Sequence, residues 1–340
     1  MKALKLLPFA VLALPALADD PPFNVNLPPY KEGAYVHDAP NIDELIADEK
    51  MHPELKRVIL KGYDLFMNTQ QLRGKNVFND MNCRSCHMGE GRMNYAGPVW
   101  PAMTNLPGYR GKNKHVNNLE ERIAGCFSYS MNGIPPEYGS DTMLALAAYH
   151  QWLAKGAQIY ETRPIGGRGF SGLKEPELAP DYARGEAVYQ EFCATCHGDD
   201  GQGLKVNDQY TFPPVWGDRS YNWGAGISRI FTAAAYIHWN MPLGQPGKLT
   251  EQQAWDVAQF INSHERPQDP RYTGDARETR EKHIGFHKFT LYGTEVNGVI
   301  LGQHDNLGEK PLLKPWNLRP RTFEEGSDAL LPKKEAAKTN

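Results

Sequence analysis

Cys83-Arg84-Ser85-Cys86-His87 and Cys193-Ala194-Thr195-Cys196-His197 decide the fold. Each has the order C-x-x-C-H, which attaches a c-type haem: two thiols form thioethers to the macrocycle and the adjacent histidine ligates the iron. Zinc binding is the alternative, but a zinc site takes four protein ligands and each cluster supplies three. Two covalently bound haem c groups are therefore expected. Cys83, Cys86, Cys193 and Cys196 would attach them, and His87 and His197 would ligate iron. The motifs stand 110 residues apart, and repetition of one domain is the simplest account.

Working outward, Asp43 to Gln70 reads as helical, with Leu55, Val58, Ile59, Tyr63, Leu65 and Phe66 as an apolar stripe. A helix followed by C-x-x-C-H is how cytochrome c folds begin. The loop from Met88 to Lys114 is long for a connection, which suggests a functional edge of a haem pocket. A helix from Asp141 to Lys155 would close a first domain, 43–155, holding the first haem. A linker rich in glycine and proline, 156–180, follows. Its Gly166-Gly167-Arg168-Gly169 lacks the spacing and context of a phosphate loop and reads as plain linker.

The same plan then repeats over 181–265, the electron-transfer domain. A helix from Asp181 through Tyr189 precedes the second motif, and a glycine-rich loop runs to Trp223. An apolar helix from Ile227 to Trp239, Met241-Pro242 and a last helix from Thr250 to Glu265 complete it. The expected fold class is all-α: two cytochrome c-type domains in tandem, with an extended N-terminal arm, 19–42, and a C-terminal tail, 266–340. The tail is expected to strap across both domains, with a hairpin near Phe289 to Leu301. Its end, Glu324 to Asn340, has a composition that favours disorder.

At 340 residues, 40% of them hydrophobic and 23% charged, the chain has the composition of a globular protein with two cores, not of a disordered or fibrous one. Lys2 and Lys5, an apolar run from Leu6 to Leu14 and Ala16-Leu17-Ala18 read as a secretory signal peptide, 1–18. That points to the periplasm, with no membrane span elsewhere. A net charge of −3 implies no nucleic-acid partner.

Function turns on the sixth ligand of each iron. In the second domain Met241 stands where a distal methionine is expected, with His238 as the competing ligand. In the first, aligning Asn132 with Asn240 puts Gly133 at the methionine position. Cys126, the one cysteine outside the motifs, lies six residues before Asn132. Asn118 and Glu121 form a capping box for its helix and Gly133 is placed to end it. At helical spacing Arg122, Cys126 and Ser130 share a face, while Leu119, Ile123 and Phe127 share another. The plain reading of Cys126 is a small buried hydrophobe. Against it, Arg122 would favour the thiolate, the form that ligates iron. Met131 and His115 are rival ligands.

The run Arg122-Ile123-x-Gly125-Cys126-Phe127-x-x-Ser130-Met131-Asn132-Gly133, between two C-x-x-C-H motifs, resembles the dihaem thiosulfate dehydrogenases, and the similarity extends from Asp43 to Glu265. The resemblance implies a reversible joining of two thiosulfates into tetrathionate. It makes Cys126 a ligand of the active-site haem, with Arg122 and Ser130 in the pocket, and has the other haem pass electrons to an external acceptor such as another c-type cytochrome. Two dianions meeting at one site need fixed cations: Arg122 first, with Arg110 and Lys112 as further candidates. Some relatives carry a lysine beside the distal methionine that exchanges with it; here Asn240 stands there, so Met241 ligation is expected in both oxidation states. A dihaem electron carrier, a dihaem peroxidase and a haem subunit of a multiprotein sulfur-oxidising complex are the competing functions.

Overall fold

A computed structural model describes residues 27–159, 162–206, 209–285 and 289–311. The segment expected to be a signal peptide, 1–18, and the end of the tail, 324–340, lie outside the described residues. Helices α1 (Ile42–Ala47), α2 (Pro53–Met67), α3 (Met88–Gly91), α4 (Trp100–Asn105), α5 (Leu119–Gly125) and α6 (Asp141–Leu153) build the first module. The second has α7 (Tyr182–Phe192), α8 (Ala194–His197), α9 (Ile230–Asn240) and α10 (Glu251–Asn262), and α11 (Ala276–His283) lies in the tail.

The all-α expectation needs correcting. Among the described residues three antiparallel strand pairs are also present: β1–β2 (Gly108–Arg110 with His115–Asn117), β3–β4 (Leu204–Val206 with Gln209–Phe212) and β5–β6 (Glu295–Val296 with Val299–Ile300). Each is too short to show an alternating pattern, so periodicity could not reveal it.

Each module closes by pressing its first long helix onto its last, and a glycine permits the contact. In α2, a Cβ on Gly62 would stand 2.0 Å from the backbone oxygen of Ala145 in α6. In α7, a Cβ on Gly185 would stand 2.1 Å from the backbone oxygen of Asp256 in α10. Alanine normally stabilises a helix interior relative to glycine by under about 1 kcal/mol. Here it must push two backbones apart, which costs about 1–3 kcal/mol. Gly62→Ala and Gly185→Ala are each expected to lower the melting temperature by several degrees in thermal denaturation of the holoprotein. An unchanged or raised midpoint would show that the helices can separate freely.

Leu65, Phe66, Ile123, Phe127, Leu146 and Tyr149 lie in the first core, and Tyr189, Ile230, Trp255 and Phe260 in the second. A third small core joins Trp223 to Ala276, Ile284, Tyr292 and Leu301 of the tail. The described part of the tail therefore has a core of its own and also spans both modules. Asn132 Nδ2 donates to Leu307 O (2.8 Å), Asn306 Nδ2 to Asp218 (2.6 Å), and Ile230 N to Phe289 O (3.0 Å). The described part of the arm lies on the first module: Tyr35 and His37 pack on Trp100, and Tyr35 pairs with the linker at Ile165.

Candidate functional site

The two histidines of the attachment motifs are held in the same way. His87 Nδ1 faces the Gly97 carbonyl and His197 Nδ1 the Pro213 carbonyl (2.8 Å). A carbonyl oxygen only accepts, so Nδ1 carries the proton and Nε2 keeps the lone pair that an iron requires. All five cysteines are free. No cluster of three or more His, Cys, Asp or Glu among the described residues is arranged to hold a metal ion. The donor set fits covalent haem c at both motifs.

Cys83, Cys86 and His87 line one wall of a cavity of 360 Å³, and Arg122, Cys126 and Ser130 also line it. Asn118 caps α5, with both bonds of the capping box formed to Glu121. The helix then widens into a π turn, Cys126–Ser130, in which Met131 N donates to Cys126 O (3.0 Å). Such turns recur at functional sites. The Arg122–Cys126 spacing survives: Arg122 Nη1 donates to Cys126 Sγ at 2.7 Å. Burial pushes the Cys126 thiol up, but the Arg122 charge, the nearby His87 ring and the Arg122 hydrogen bond outweigh it and bring it down to about 6. Thiolate is therefore the resting form near neutral pH.

Residues of both modules clamp this turn. Asn222 Nδ2 donates to Ser128 O (2.9 Å) and Asn132 Oδ1 (3.0 Å), while Asn79 Nδ2 reaches Ser130 O (2.8 Å) and Ser220 O (3.0 Å). The turn ends on Asn132, in the left-handed region at φ 42°, and Gly133 follows because a Cβ there would stand 2.0 Å from Asn76 O.

Arg110 lines the cavity as well; burial and the neighbouring Arg122 charge pull its pKa down to about 10. Lys112 lies outside the lining. Its Nζ turns to Gly224 O (2.7 Å) and stands 3.7 Å over the Tyr129 ring, where burial lowers its pKa well below the usual value. Of the rival ligands, Met131 lines the cavity. His115 does not: it bonds Asn113 O (3.0 Å) and Asn117 (2.8 Å) and approaches Glu121 (3.4 Å).

Sequence reasoning passed over the linker. Arg168, Gly169 and Phe170 belong to the cavity wall, so the stretch read as plain linker is part of the site. An arginine between two glycines, in a chain expected to bind dianions, was the available signal.

In module two, Met241 follows α9 and packs against the second core, while His238 is buried with Nδ1 unpartnered among the described residues. Asn240 donates to Tyr95 O (3.1 Å) and Tyr236 O (3.0 Å), which ties α9 to the first module.

Two C-x-x-C-H modules joined by side-chain hydrogen bonds, with Cys126 and the first motif lining one cavity, define a dihaem c-type cytochrome. Residues 68–159 match the family model "SoxA/TsdA, cytochrome c domain", and 180–261 match "Cytochrome C oxidase, cbb3-type, subunit III". The chain is 43% identical over 301 residues to a thiosulfate dehydrogenase of Thiomonas intermedia, covering 86% of this chain and 92% of that protein. It is 46% identical over 247 residues to one of Stutzerimonas stutzeri, covering 72% and 80%. A solved thiosulfate dehydrogenase (TsdBA) of Marichromatium purpuratum superposes with a TM-score of 0.72 at 43% identity, covering 78% of this chain and 57% of that longer one. The chain belongs to the thiosulfate dehydrogenase family.

Proposed function

We propose that this protein oxidises two thiosulfates to one tetrathionate. Haem c, when bound, supplies iron ligation at His87 and His197 and takes up one electron per haem. The observation that carries the reading is the 2.7 Å contact between Arg122 Nη1 and Cys126 Sγ in a cavity shared with a haem-attachment motif. A pure electron carrier has no use for a charge-stabilised thiolate there, and a peroxidase needs that position open.

The residues suggest a balanced sequence. Cys126 Sγ, as thiolate, forms a sulfur–sulfur bond to the sulfane sulfur of one thiosulfate as two electrons leave. The sulfane sulfur of a second thiosulfate then attacks that bound sulfur, forming the central bond of tetrathionate and releasing the Cys126 thiolate. No proton is gained or lost. Arg122 and Arg110 offset the repulsion between the anions, and Ser130 offers a hydroxyl on the same wall. Cys126 and Met241 would ligate the irons of the first and second haems. Asn240, whose Nδ2 donates to Tyr95 O and Tyr236 O, carries no amine that could exchange with methionine as the relatives' lysine does, which supports Met241 in both oxidation states.

The N-terminal segment supports periplasmic export, and no helix of the described residues is long and apolar enough to cross a membrane. Electrons would pass from the first haem to the second and on to an external acceptor, another c-type cytochrome or a similar periplasmic redox protein. The test is ferricyanide reduction on adding thiosulfate, with tetrathionate measured as product. Two ferricyanides per tetrathionate are expected; reduction without tetrathionate would leave only an electron carrier.

A further inference from the structure

Among the residues lining the cavity only two are exposed, Tyr109 (70%) and Arg168. The opening therefore lies between strand β1 of the first module and the linker. Arg110 stands beside Tyr109, and Arg122 lies with Cys126 further in. An entering ion meets the linker first.

The linker is fixed at this point. Tyr95 N donates to Gly167 O (2.7 Å) and Gly97 N to Gly169 O (3.0 Å), so hydrogen bonds pin the backbone on both sides of Arg168. Gly167 has φ +74°, and a Cβ there would fall 2.3 Å from the Asn94 side-chain oxygen. Arg168 makes no hydrogen bond or ion pair within the described residues, unlike Arg122, which is engaged with the thiol. A rigid backbone thus holds an uncommitted guanidinium at the mouth. Its planar fork suits an oxyanion such as the sulfonate end of thiosulfate.

We infer that Arg168 is a substrate-capturing residue: it draws thiosulfate to the opening by its charge and holds the sulfonate while the sulfane sulfur reaches Cys126. The inference rests on the thiosulfate reading of the site and adds to it a residue outside both haem domains. An exposed cation acts on encounter and affinity more than on the bond-forming step, and salt screens it.

The experiment compares wild type, Arg168→Gln and Arg168→Lys as holoproteins. It measures kcat and KM for thiosulfate at low and raised ionic strength, thiosulfate affinity by calorimetry, and the midpoint potentials of both haems. For Arg168→Gln we expect KM and Kd to rise about five- to tenfold with kcat within about twofold, and kcat/KM to depend less on salt. Arg168→Lys should recover much of the loss, and the potentials should stay as in wild type. Unchanged KM and Kd would overturn the inference. So would a shifted first-haem potential at constant Kd, since Arg168 would then pair with the haem carboxylates. If wild type itself turned over no thiosulfate, the functional reading would fail on its own, and the calorimetric comparison would still decide whether Arg168 captures the anion.

Discussion

Cys126→Gly should lower thiosulfate-dependent ferricyanide reduction by roughly a thousandfold or more while the protein keeps both haems. Haem attachment is assigned to Cys83, Cys86, Cys193 and Cys196, so the pyridine haemochrome spectrum should still report two c-type haems per chain. Folding should survive too. Cys126 opens the π turn, but the clamps on that turn come from Asn79 and Asn222 and bind backbone oxygens of Ser128 and Ser130 and the side chain of Asn132. None of them needs the thiol. What disappears is the group that holds the first sulfur, and no other side chain of the cavity is placed to form that bond: Cys83 and Cys86 are taken up in haem attachment, Ser130 is a hydroxyl and Met131 a thioether. Full activity with both haems present would exclude covalent participation of this residue. Loss of the first haem would instead make Cys126 a structural ligand, so the haem count and the rate must be read together.

What the sequence disclosed and what it hid follow one division. The haem motifs and the Arg122–Cys126–Ser130 face are local, set by spacing along a few turns of chain, and they are legible because helical geometry converts spacing into direction. The π turn shifts that geometry only past Cys126, so the Arg122 contact stands. Lys112 and Arg168 are the converse. Lys112 follows β1, and nothing local says that its side chain will leave the cavity for Tyr129 and Gly224 across the module boundary. Arg168 is separated from Tyr95 and Gly97 by some seventy residues of chain, and only their backbone pairing with Gly167 and Gly169 brings it to the cavity. Gly133 was read as a helix stop, yet the left-handed residue is Asn132 and Gly133 is needed for a close approach to Asn76. Roles created by tertiary contact are not written in spacing.

Arg122→Gln is the second variant with a large expected effect, a loss of about 10²–10³ in kcat/KM, the scale for removing one preorganised charge at a reacting centre. The argument is electrostatic. Burial alone would push the Cys126 thiol above its ordinary value; the Arg122 charge is the largest influence in the opposite direction. Removing it raises the pKa, so the thiol stays protonated to higher pH. Wild type should lose activity as pH falls through about 6, and the variant should show its acid limb at higher pH. Arg122→Lys keeps the charge without the fork and should recover part of the rate. The double variant Cys126→Gly/Arg122→Gln should be only slightly slower than Cys126→Gly alone, because most of the Arg122 effect runs through the thiolate and only its share in offsetting the substrate charge is left. A further large drop in the double variant would mean that Arg122 binds substrate independently of Cys126. An Arg122→Gln rate within about threefold of wild type would mean that the 2.7 Å contact has no catalytic consequence.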